Sequence, residues 1–294
     1  MAHLKLNHWV LAARPKTLWA AISPVIVGTA MAYEDGQYHG LAALMALLGA
    51  VFIQIGTNLA NDYFDFKKGA DKNGRLGPTR VTQAGLVSPR TMRTAVIIVF
   101  LISFLFGLYL VWRGGWPVVI IGILSVLFAV LYTGGPYPLG YHGLGDIFVL
   151  IFFGPVAVGG TYYVQTLEIN ATILTAGLAP GLFSLAILTV NNLRDVESDK
   201  KAGKKTLAVR WGITFARREY LFSLITAALI PVILFVITRH HPLSLLSVLV
   251  LPVAIPVIKT VFRESSSPKL NDTLALTGQL LLLYSIIFSI GWLL

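Results

Sequence analysis

Residues 94–112 read TAVIIVFLISFLFGLYLVW and contain no charged side chain. An apolar run of about 18 or more residues is long enough to cross the roughly 30 Å hydrocarbon layer of a bilayer as an α-helix. Similar runs recur along the 294-residue chain, which is 56% hydrophobic and only 12% charged. A soluble chain of this length needs far more polar surface. We therefore predict an all-α, polytopic membrane protein.

The apolar runs are continuous, which favours helices over the alternating strands of a membrane barrel. The fifth run contains Gly154 and Pro155, so we expect it to be kinked. No linker or low-complexity segment divides residues 1–294, and a single domain is expected. About nine spans in one bundle are predicted, at Leu18–Tyr33, Leu41–Ala60, Thr94–Trp112, Pro117–Tyr132, Leu144–Gln165, Ala171–Val190, Tyr220–Thr238, Leu243–Phe262 and Thr273–Leu294.

The distribution of positive charge predicts the orientation of these spans. All lysine and arginine residues except Arg113 and Arg239 fall on the same side as the N-terminus. The positive-inside rule places that side in the cytoplasm, which predicts a multi-pass protein of the cytoplasmic membrane with a cytoplasmic N-terminus. The net charge of +10 then reflects topology, and no nucleic-acid partner is expected. We see no cleavable signal peptide, and the absence of cysteine excludes disulfides and thiolate metal sites.

Two acidic clusters lie at predicted helix ends on the cytoplasmic side. They are Asp62, Asp65 and Asp71 after the second span, and Asp195, Glu197 and Asp199 after the sixth. If the helices continue through these stretches, one face of each carries an amide and two carboxylates. The two faces are Asn58, Asp62 and Asp65, and Asn192, Asp195 and Asp199.

This combination of charges predicts a metal and a phosphate ligand. Hard oxygen ligands suit Mg²⁺, which binds through one or two carboxylates together with substrate phosphates. Basic residues suited to phosphate lie beside the acids: Lys67, Lys68, Lys72, Arg75 and Arg80 in one loop, and Arg194, Lys204, Lys205 and Arg210 in the other. At a membrane surface, the pattern indicates a lipid-linked diphosphate substrate.

Three other readings stay open on the residues alone. Charged helix ends commonly serve only orientation or contact with anionic lipids. An ion-coupled transporter also carries intramembrane acids, although it predicts them near mid-span rather than at helix ends. A magnesium-dependent CDP-alcohol phosphotransferase is the third reading, but its expected Asp-Gly-x-x-Ala-Arg element is missing.

The two acidic motifs resemble those of the UbiA superfamily of intramembrane aromatic prenyltransferases. Asn61-Asp62-x-x-Asp65 followed by Asp71 is similar to the first motif of that family, and Asp195-x-x-x-Asp199 is similar to the second. Five residues separate Asp65 from Asp71, where many members have three. Further stretches look like the branch that prenylates 1,4-dihydroxy-2-naphthoate: Arg14–Thr17, Asn58–Tyr63, Tyr141–Asp146, Asn191–Asp195 and Gly203–Arg210.

The resemblance, which runs from about residue 8 to about residue 215, implies a reaction. The polyprenyl group of a polyprenyl diphosphate would pass to 1,4-dihydroxy-2-naphthoate with Mg²⁺ as cofactor. Loss of CO₂ and diphosphate would give a demethylmenaquinone, as in menaquinone biosynthesis. Other branches, which act on 4-hydroxybenzoate, haem, homogentisate or geranylgeranylglyceryl phosphate, are the main alternatives.

The resemblance also implies roles for individual residues. The catalytic acids would be Asp62, Asp65, Asp195 and Asp199, joined by Asp71 in holding the metal. The diphosphate would be bound by Asn58, Asn61, Lys68, Arg75, Asn192, Lys204 and Lys205. The aromatic acceptor would be bound by Arg14, Lys16, Tyr132, Tyr137 and Asp146. Arg14 and Lys16 are equally explained as topology anchors, and Asp146 as a helix cap.

Overall fold

The computed structural model describes residues 2–69 and 76–294, with side chains from residue 6 onward. Across these ranges every regular element is a helix, which confirms the predicted all-α class. The α-helices are α1 (Ala2–Ala13), α2 (Trp19–Glu34), α3 (Gly40–Lys68), α4 (Pro89–Gly114), α5 (Trp116–Leu131), α6 (Gly145–Ile151), α7 (Ala157–Thr166), α8 (Ala171–Lys201), α9 (Leu207–Thr238), α10 (Val250–Arg263) and α11 (Leu270–Leu293). Shorter helical turns occupy Pro15–Thr17, Leu139–His142, Phe152–Val156 and Pro242–Leu249.

Each predicted span falls on a helix, but the predicted count of nine is not confirmed. Seven segments of the described chain are long and apolar enough to cross a bilayer: Gly40–Lys68, Pro89–Gly114, Gly145–Thr166, Ala171–Lys201, Leu207–Thr238, Pro242–Arg263 and Leu270–Leu293. An eighth is present if Leu6–Thr17 and Trp19–Glu34, bent by 51°, form one span. The remaining predicted span coincides with α5, which is shorter.

The bend between α1 and α2 has a local cause. Arg14 has a left-handed backbone with φ of 52°, and the ring of Pro15 cannot continue the preceding helix. The predicted kink in the fifth span is also present. Gly154 has non-helical backbone angles, with φ of −107° and ψ of −113°, and Pro155 follows it. Both breaks therefore occur where proline removes a backbone donor.

Helix α8 forms the centre of the bundle and α4 lies at its edge. Of the most apolar stretch in each helix, 78% is buried in α8 and 6% in α4. The exposed face of α4 carries large apolar side chains, among them Leu101, Phe104 and Leu105. Soluble proteins rarely expose a large contiguous apolar surface to water, so this face of α4 is suited to contact with lipid. The protein is a multi-pass membrane protein.

Asp62 and Asp65 of the first acidic cluster and the three acids of the second lie on helices that run past the apolar core. Helix α3 continues to Lys68 and ends at Gly69, whose positive φ of 66° is the usual left-handed helix stop. Helix α8 continues to Lys201. The expectation that the helices extend through the acidic stretches is confirmed for α8, and for α3 as far as Lys68. Since α8 is the most buried helix, its last turns bring Asp195 and Asp199 into the bundle, whereas Glu197 is exposed.

Candidate active site at the ends of α3 and α8

A polar cavity lies between the last turns of α3 and α8. It is lined by Arg14, Asn61, Asp65, Arg80, Tyr132, Thr133, Gly140, Tyr141, Asn191, Asn192, Asp195, Asp199, Lys204 and Thr206. Side chains from both predicted acidic motifs therefore face one space, as do several of the predicted basic and aromatic residues. The segments that complete the cavity come from the loops beyond the helix ends.

The three residues of the predicted face of α3 are all buried, but only Asp65 lines the cavity. Asn61 and Asp65, four residues apart, line the cavity, whereas Asn58 and Asp62 do not. Asn58 donates hydrogen bonds to the Ala13 carbonyl at 2.9 Å and to the Thr17 hydroxyl at 3.0 Å. Asp65 follows Asn61 by four residues, Asp62 by three and Asn58 by seven, and all three spacings fit one face of a helix. The helical period alone therefore did not show which of these residues line the cavity with Asp65. The predicted face of α8 is confirmed, because all three of its residues line the cavity.

Asp65 is the most enclosed carboxylate of the site. Its side chain has no exposed surface, and Nη2 of Arg80 lies 2.6 Å from its Oδ2. Its Oδ1 accepts a 2.9 Å hydrogen bond from the Tyr141 hydroxyl and lies 3.3 Å from Nζ of Lys204. Lys204 is also 3.8 Å from Oδ1 of Asp199. Lys204 therefore joins the two acidic motifs.

Arg194 neutralises Asp195 within the protein. Its guanidinium donates two hydrogen bonds, of 2.8 and 2.6 Å, to the two oxygens of Asp195. It also donates to the side-chain oxygens of Asn191 at 2.7 Å and Asn271 at 2.9 Å. Arg194, predicted to be one of the bases for phosphate, does not line the cavity. Its charge is committed to Asp195, and its side chain is only 1% exposed.

Tyr141 holds two lysines near one aromatic ring. Nζ of Lys68 lies 4.6 Å from the ring centre, and Nζ of Lys204 lies 4.7 Å from it. Lys68 also donates a 2.7 Å hydrogen bond to the Thr133 carbonyl. The Thr133 hydroxyl in turn donates to the side-chain oxygen of Asn61 at 2.6 Å. The basic side of the cavity is thus ordered by contacts among its own side chains.

Tyr132, predicted to bind the acceptor, lines the cavity. A tyrosine phenol carries its proton at neutral pH. Tyr132 therefore offers the cavity a neutral hydrogen-bond donor.

The other predicted acceptor and diphosphate residues are scattered. Arg14 lines the cavity, but Lys16 is exposed and lies 3.6 Å from Asp272. Tyr137 is exposed and stacks on His142 with ring centres 3.6 Å apart. Three further predicted residues do not line the cavity: Asp146, which is buried, Lys205, whose side chain is exposed, and Lys68, which reaches the ring of Tyr141. Asp71 and Arg75 lie outside the described residues.

Several residues that form the site had no predicted role. Tyr141, Thr133, Asn191 and Thr206 line the cavity, and Asn271 of α11 reaches it through Arg194. Tyr141 begins one of the stretches that carried the family resemblance, so its position contained a usable signal. Asn271 lies in the C-terminal spans, where no motif marked it.

The donor set fits a hard divalent cation. No three Asp, Glu or His side chains within residues 2–69 and 76–294 stand close enough to hold one metal ion by themselves. Mg²⁺ does not need three, because it binds through one or two carboxylates and completes its shell with water and phosphate oxygens. Asp65, Asp195 and Asp199 line one cavity with three asparagines, and together they offer oxygen ligands only. Such a set suits Mg²⁺ better than a transition metal.

Comparison with known proteins extends this picture to the whole chain. The sequence pattern described as "UbiA prenyltransferase family" matches residues 21–288. A 1,4-dihydroxy-2-naphthoate octaprenyltransferase from Haemophilus influenzae is 38% identical over 299 residues, covering 99% of this chain and 97% of that protein. The Escherichia coli protein of the same name is 39% identical over 290 residues, covering 96% and 94%. A solved UbiA homolog from Archaeoglobus fulgidus bound to GPP and Mg²⁺ has a TM-score of 0.69 at 15% identity, covering 96% of this chain and 99% of that one.

The fold and the cavity define a helical membrane protein that carries a buried, oxygen-rich polar site at one end of its bundle. The match over most of its length then settles the family. The chain belongs to the UbiA prenyltransferase family.

Proposed function

We propose that the protein transfers the polyprenyl group of a polyprenyl diphosphate to 1,4-dihydroxy-2-naphthoate, with release of diphosphate and CO₂. The observation that carries the proposal is the position of Lys204, 3.3 Å from Asp65 and 3.8 Å from Asp199. The ammonium group of Lys204 can form a charge-assisted hydrogen bond to a diphosphate oxygen, and the acids on either side of it can bind the Mg²⁺ that accompanies the diphosphate. The near full-length similarity to two octaprenyltransferases named for this acceptor supports the choice of acceptor.

We propose Asp65, Asp195 and Asp199 as the Mg²⁺ ligands, since all three line the cavity. When bound, Mg²⁺ supplies positive charge that neutralises the departing diphosphate and eases cleavage of the allylic C–O bond. Asp71, outside the described residues, remains a predicted ligand. Asp62 is left out of this set because it does not line the cavity and its two oxygens instead accept backbone N–H groups at 3.0 and 3.1 Å.

Three basic side chains are proposed to bind the diphosphate oxygens. Lys68 and Lys204 share the ring of Tyr141, and Arg80 lies beside Asp65. An arginine fork binds phosphate oxygens in pairs, whereas lysine acts as a point charge. Two amide side chains that line the cavity, Asn61 and Asn192, can join them. Of the remaining predicted diphosphate ligands, Arg75 and Lys205 stay predictions, and the amide N–H groups of Asn58 are bonded to α1 and the turn after it.

The acceptor is proposed to bind with its carboxylate at Arg14 and a hydroxyl at the neutral phenol of Tyr132, both in the cavity lining. The acceptor ring carbon that bears the carboxylate attacks the allylic carbon. A C–C bond forms as the C–O bond breaks, and the electron pair of that bond leaves on the diphosphate. The C–CO₂ bond then breaks, and its electrons restore the aromatic ring. The product is a prenylated naphthoquinol, which later oxidation converts into a demethylmenaquinone.

The site is proposed to face the cytoplasm from the cell membrane. Both motifs lie at the ends of spans whose flanking loops hold most of the lysine and arginine residues. Such loops stay on the cytoplasmic side by the positive-inside rule. The polyprenyl tail then extends along apolar helix surfaces into the bilayer, while the soluble acceptor enters from the cytoplasm.

The test is an assay of the protein purified in detergent, supplied with 1,4-dihydroxy-2-naphthoate, a short polyprenyl diphosphate and Mg²⁺. Mass spectrometry follows the decarboxylated product. Asp65→Ala and Asp195→Ala are expected to abolish it, and Glu197→Gln, an exposed acid on the same helix, to retain it. Product from 4-hydroxybenzoate but not from the naphthoate would overturn the acceptor while keeping the class of reaction.

A further inference from the structure

The segment 76–87, here called the strap, brings Arg80 into the cavity from outside the helices. The guanidinium of Arg80 and the carboxylate of Asp65 are 5% and 0% exposed, so the strap closes over the end of α3. Its chain is turned by backbone hydrogen bonds, including Ala84 N–H to Arg80 at 2.9 Å and Leu86 N–H to Val81 at 3.0 Å. The direction of Arg80 therefore depends on what holds the strap in place.

Asp62 holds the strap immediately beside Arg80. Its Oδ2 accepts the backbone N–H of Val81 at 3.0 Å, and its Oδ1 accepts that of Thr82 at 3.1 Å. The residue is 2% exposed. Each carboxylate oxygen thus has a backbone donor, a charge-assisted pairing that is stronger than an ordinary hydrogen bond. Asp62 is bonded to the two residues that follow Arg80, not to the cavity.

Asn271 holds the other end of the strap. Its side-chain N–H donates a 2.8 Å hydrogen bond to the Leu76 carbonyl. Its side-chain oxygen accepts a 2.9 Å bond from Arg194, the residue that neutralises Asp195. One amide on α11 therefore connects the strap to the second acidic motif.

We propose that Asp62 and Asn271 are positioning residues that hold the strap and thereby direct Arg80 at the diphosphate, and that Asp62 is not a metal ligand. The proposal rests on the proposed function only for the identity of the ligand at Arg80. An arginine carries five N–H donors, so it can hold Asp65 and still bind phosphate oxygens. The position of Arg80 next to Val81 means that loosening the two amide bonds to Asp62 releases Arg80 as well.

The experiment combines binding with hydrogen exchange. Asp62→Asn, Asn271→Ala, Arg80→Ala and Asp65→Asn are compared with Gln83→Ala, an exposed strap residue, as the control. Binding of Mn²⁺ is followed by electron paramagnetic resonance, and binding of geranyl diphosphate by calorimetry. These probes remain informative even if the naphthoate is not turned over, so failure of the acceptor assignment and failure of this proposal are distinguishable.

We expect Asp62→Asn to keep Mn²⁺ affinity within about twofold, to weaken geranyl diphosphate about tenfold and to raise KM more than it changes kcat. Amide exchange at residues 81 and 82 should accelerate. In an Arg80→Ala background, Asp62→Asn should cause little further loss of affinity for geranyl diphosphate, because both changes act through the side chain of Arg80. Asn271→Ala should behave similarly and gives an independent test if Asp62→Asn does not fold. Loss of Mn²⁺ binding as large as in Asp65→Asn, or additive losses with Arg80→Ala, would overturn the proposal.

Discussion

The hydroxyl of Tyr141 donates a 2.9 Å hydrogen bond to Asp65, and the face of the same ring lies within 4.7 Å of the ammonium groups of Lys68 and Lys204. One side chain thus orients a proposed metal ligand through its hydroxyl and two cations through its ring. The two roles can be separated, because phenylalanine keeps the ring and removes only the hydroxyl.

Tyr141→Phe is expected to lower kcat/KM about tenfold, since a hydrogen bond to a charged group is lost. Tyr141→Ala should lower it further, because cation–π contacts of roughly 1 kcal/mol each also disappear. Steady-state kinetics with geranyl diphosphate as the varied substrate would measure both changes. Equal activity of the phenylalanine variant and the parent protein would show that the hydroxyl does not orient Asp65.

Removing Lys204 should weaken diphosphate binding more than any other single lysine change, because its ammonium group stands between Asp65 and Asp199. Lys204→Met is expected to raise KM for the diphosphate by about tenfold or more, the usual scale for a lost charged hydrogen bond. Lys201→Met, at the exposed end of α8, is the matched control and should change KM by less than about twofold. Similar KM values in the two variants would exclude Lys204 from the diphosphate site.

Arg194 is expected to matter for stability as well as activity. Arg194→Met takes the cation away from buried Asp195, and breaking one side of a buried pair typically costs about 3–5 kcal/mol. Thermal unfolding in detergent should show a lower Tm than for Lys200→Met, an exposed change on the same helix. The double change Arg194→Met with Asp195→Leu should regain part of the lost Tm and remain inactive. A double variant no more stable than Arg194→Met alone would mean that the buried charge of Asp195 is not the cause.

The general position of the site could be predicted from the sequence because acidic residues are rare in this largely apolar chain, with 13 Asp and Glu residues in 294. Acids at the ends of two apolar runs are costly to bury, so their positions marked the cavity before any contact was known. The face of α3 was harder to predict. Asn58, Asn61, Asp62 and Asp65 all lie within two helical turns, and a helical period of 3.6 residues leaves both pairings acceptable. The strap explains why Asp62 does not line the cavity: two backbone N–H groups of the strap donate hydrogen bonds to its carboxylate.

Contacts between distant parts of the chain could not be predicted at all. Asn271 reaches Leu76 and Arg194 only because α11 packs against α8, and no local pattern in α11 signals that meeting. The predicted count of nine spans was also not confirmed. Length and hydropathy predict where a helix is apolar, but they predict neither that the chain bends at Arg14 nor that α5 is shorter than a full span.

The kinked fifth span provides the last prediction, because its break lets the chain approach α8 closely. A Cβ atom built on Gly181 would clash with the carbonyl oxygen of Leu150, and one on Gly154 would lie 2.8 Å from the carbonyl oxygen of Gly177. Small residues at helix crossings in membranes allow this contact between backbones. Gly181→Ala must push the two helices apart, so we expect a loss of about 1–3 kcal/mol in stability, the usual cost of overpacking.

Gly107→Ala is the matched control for Gly181→Ala. It lies in helix α4, and no heavy atom lies within 4 Å of the Cβ that it would add. Here alanine should be neutral or stabilising by up to about 1 kcal/mol, because glycine is the poorer helix former. Thermal unfolding of both variants in one detergent would compare them directly. Because α8 also carries Asp195 and Asp199, Gly181→Ala should reduce activity together with Tm. A Gly181→Ala protein as stable and active as Gly107→Ala would contradict the close packing of the fifth span against α8.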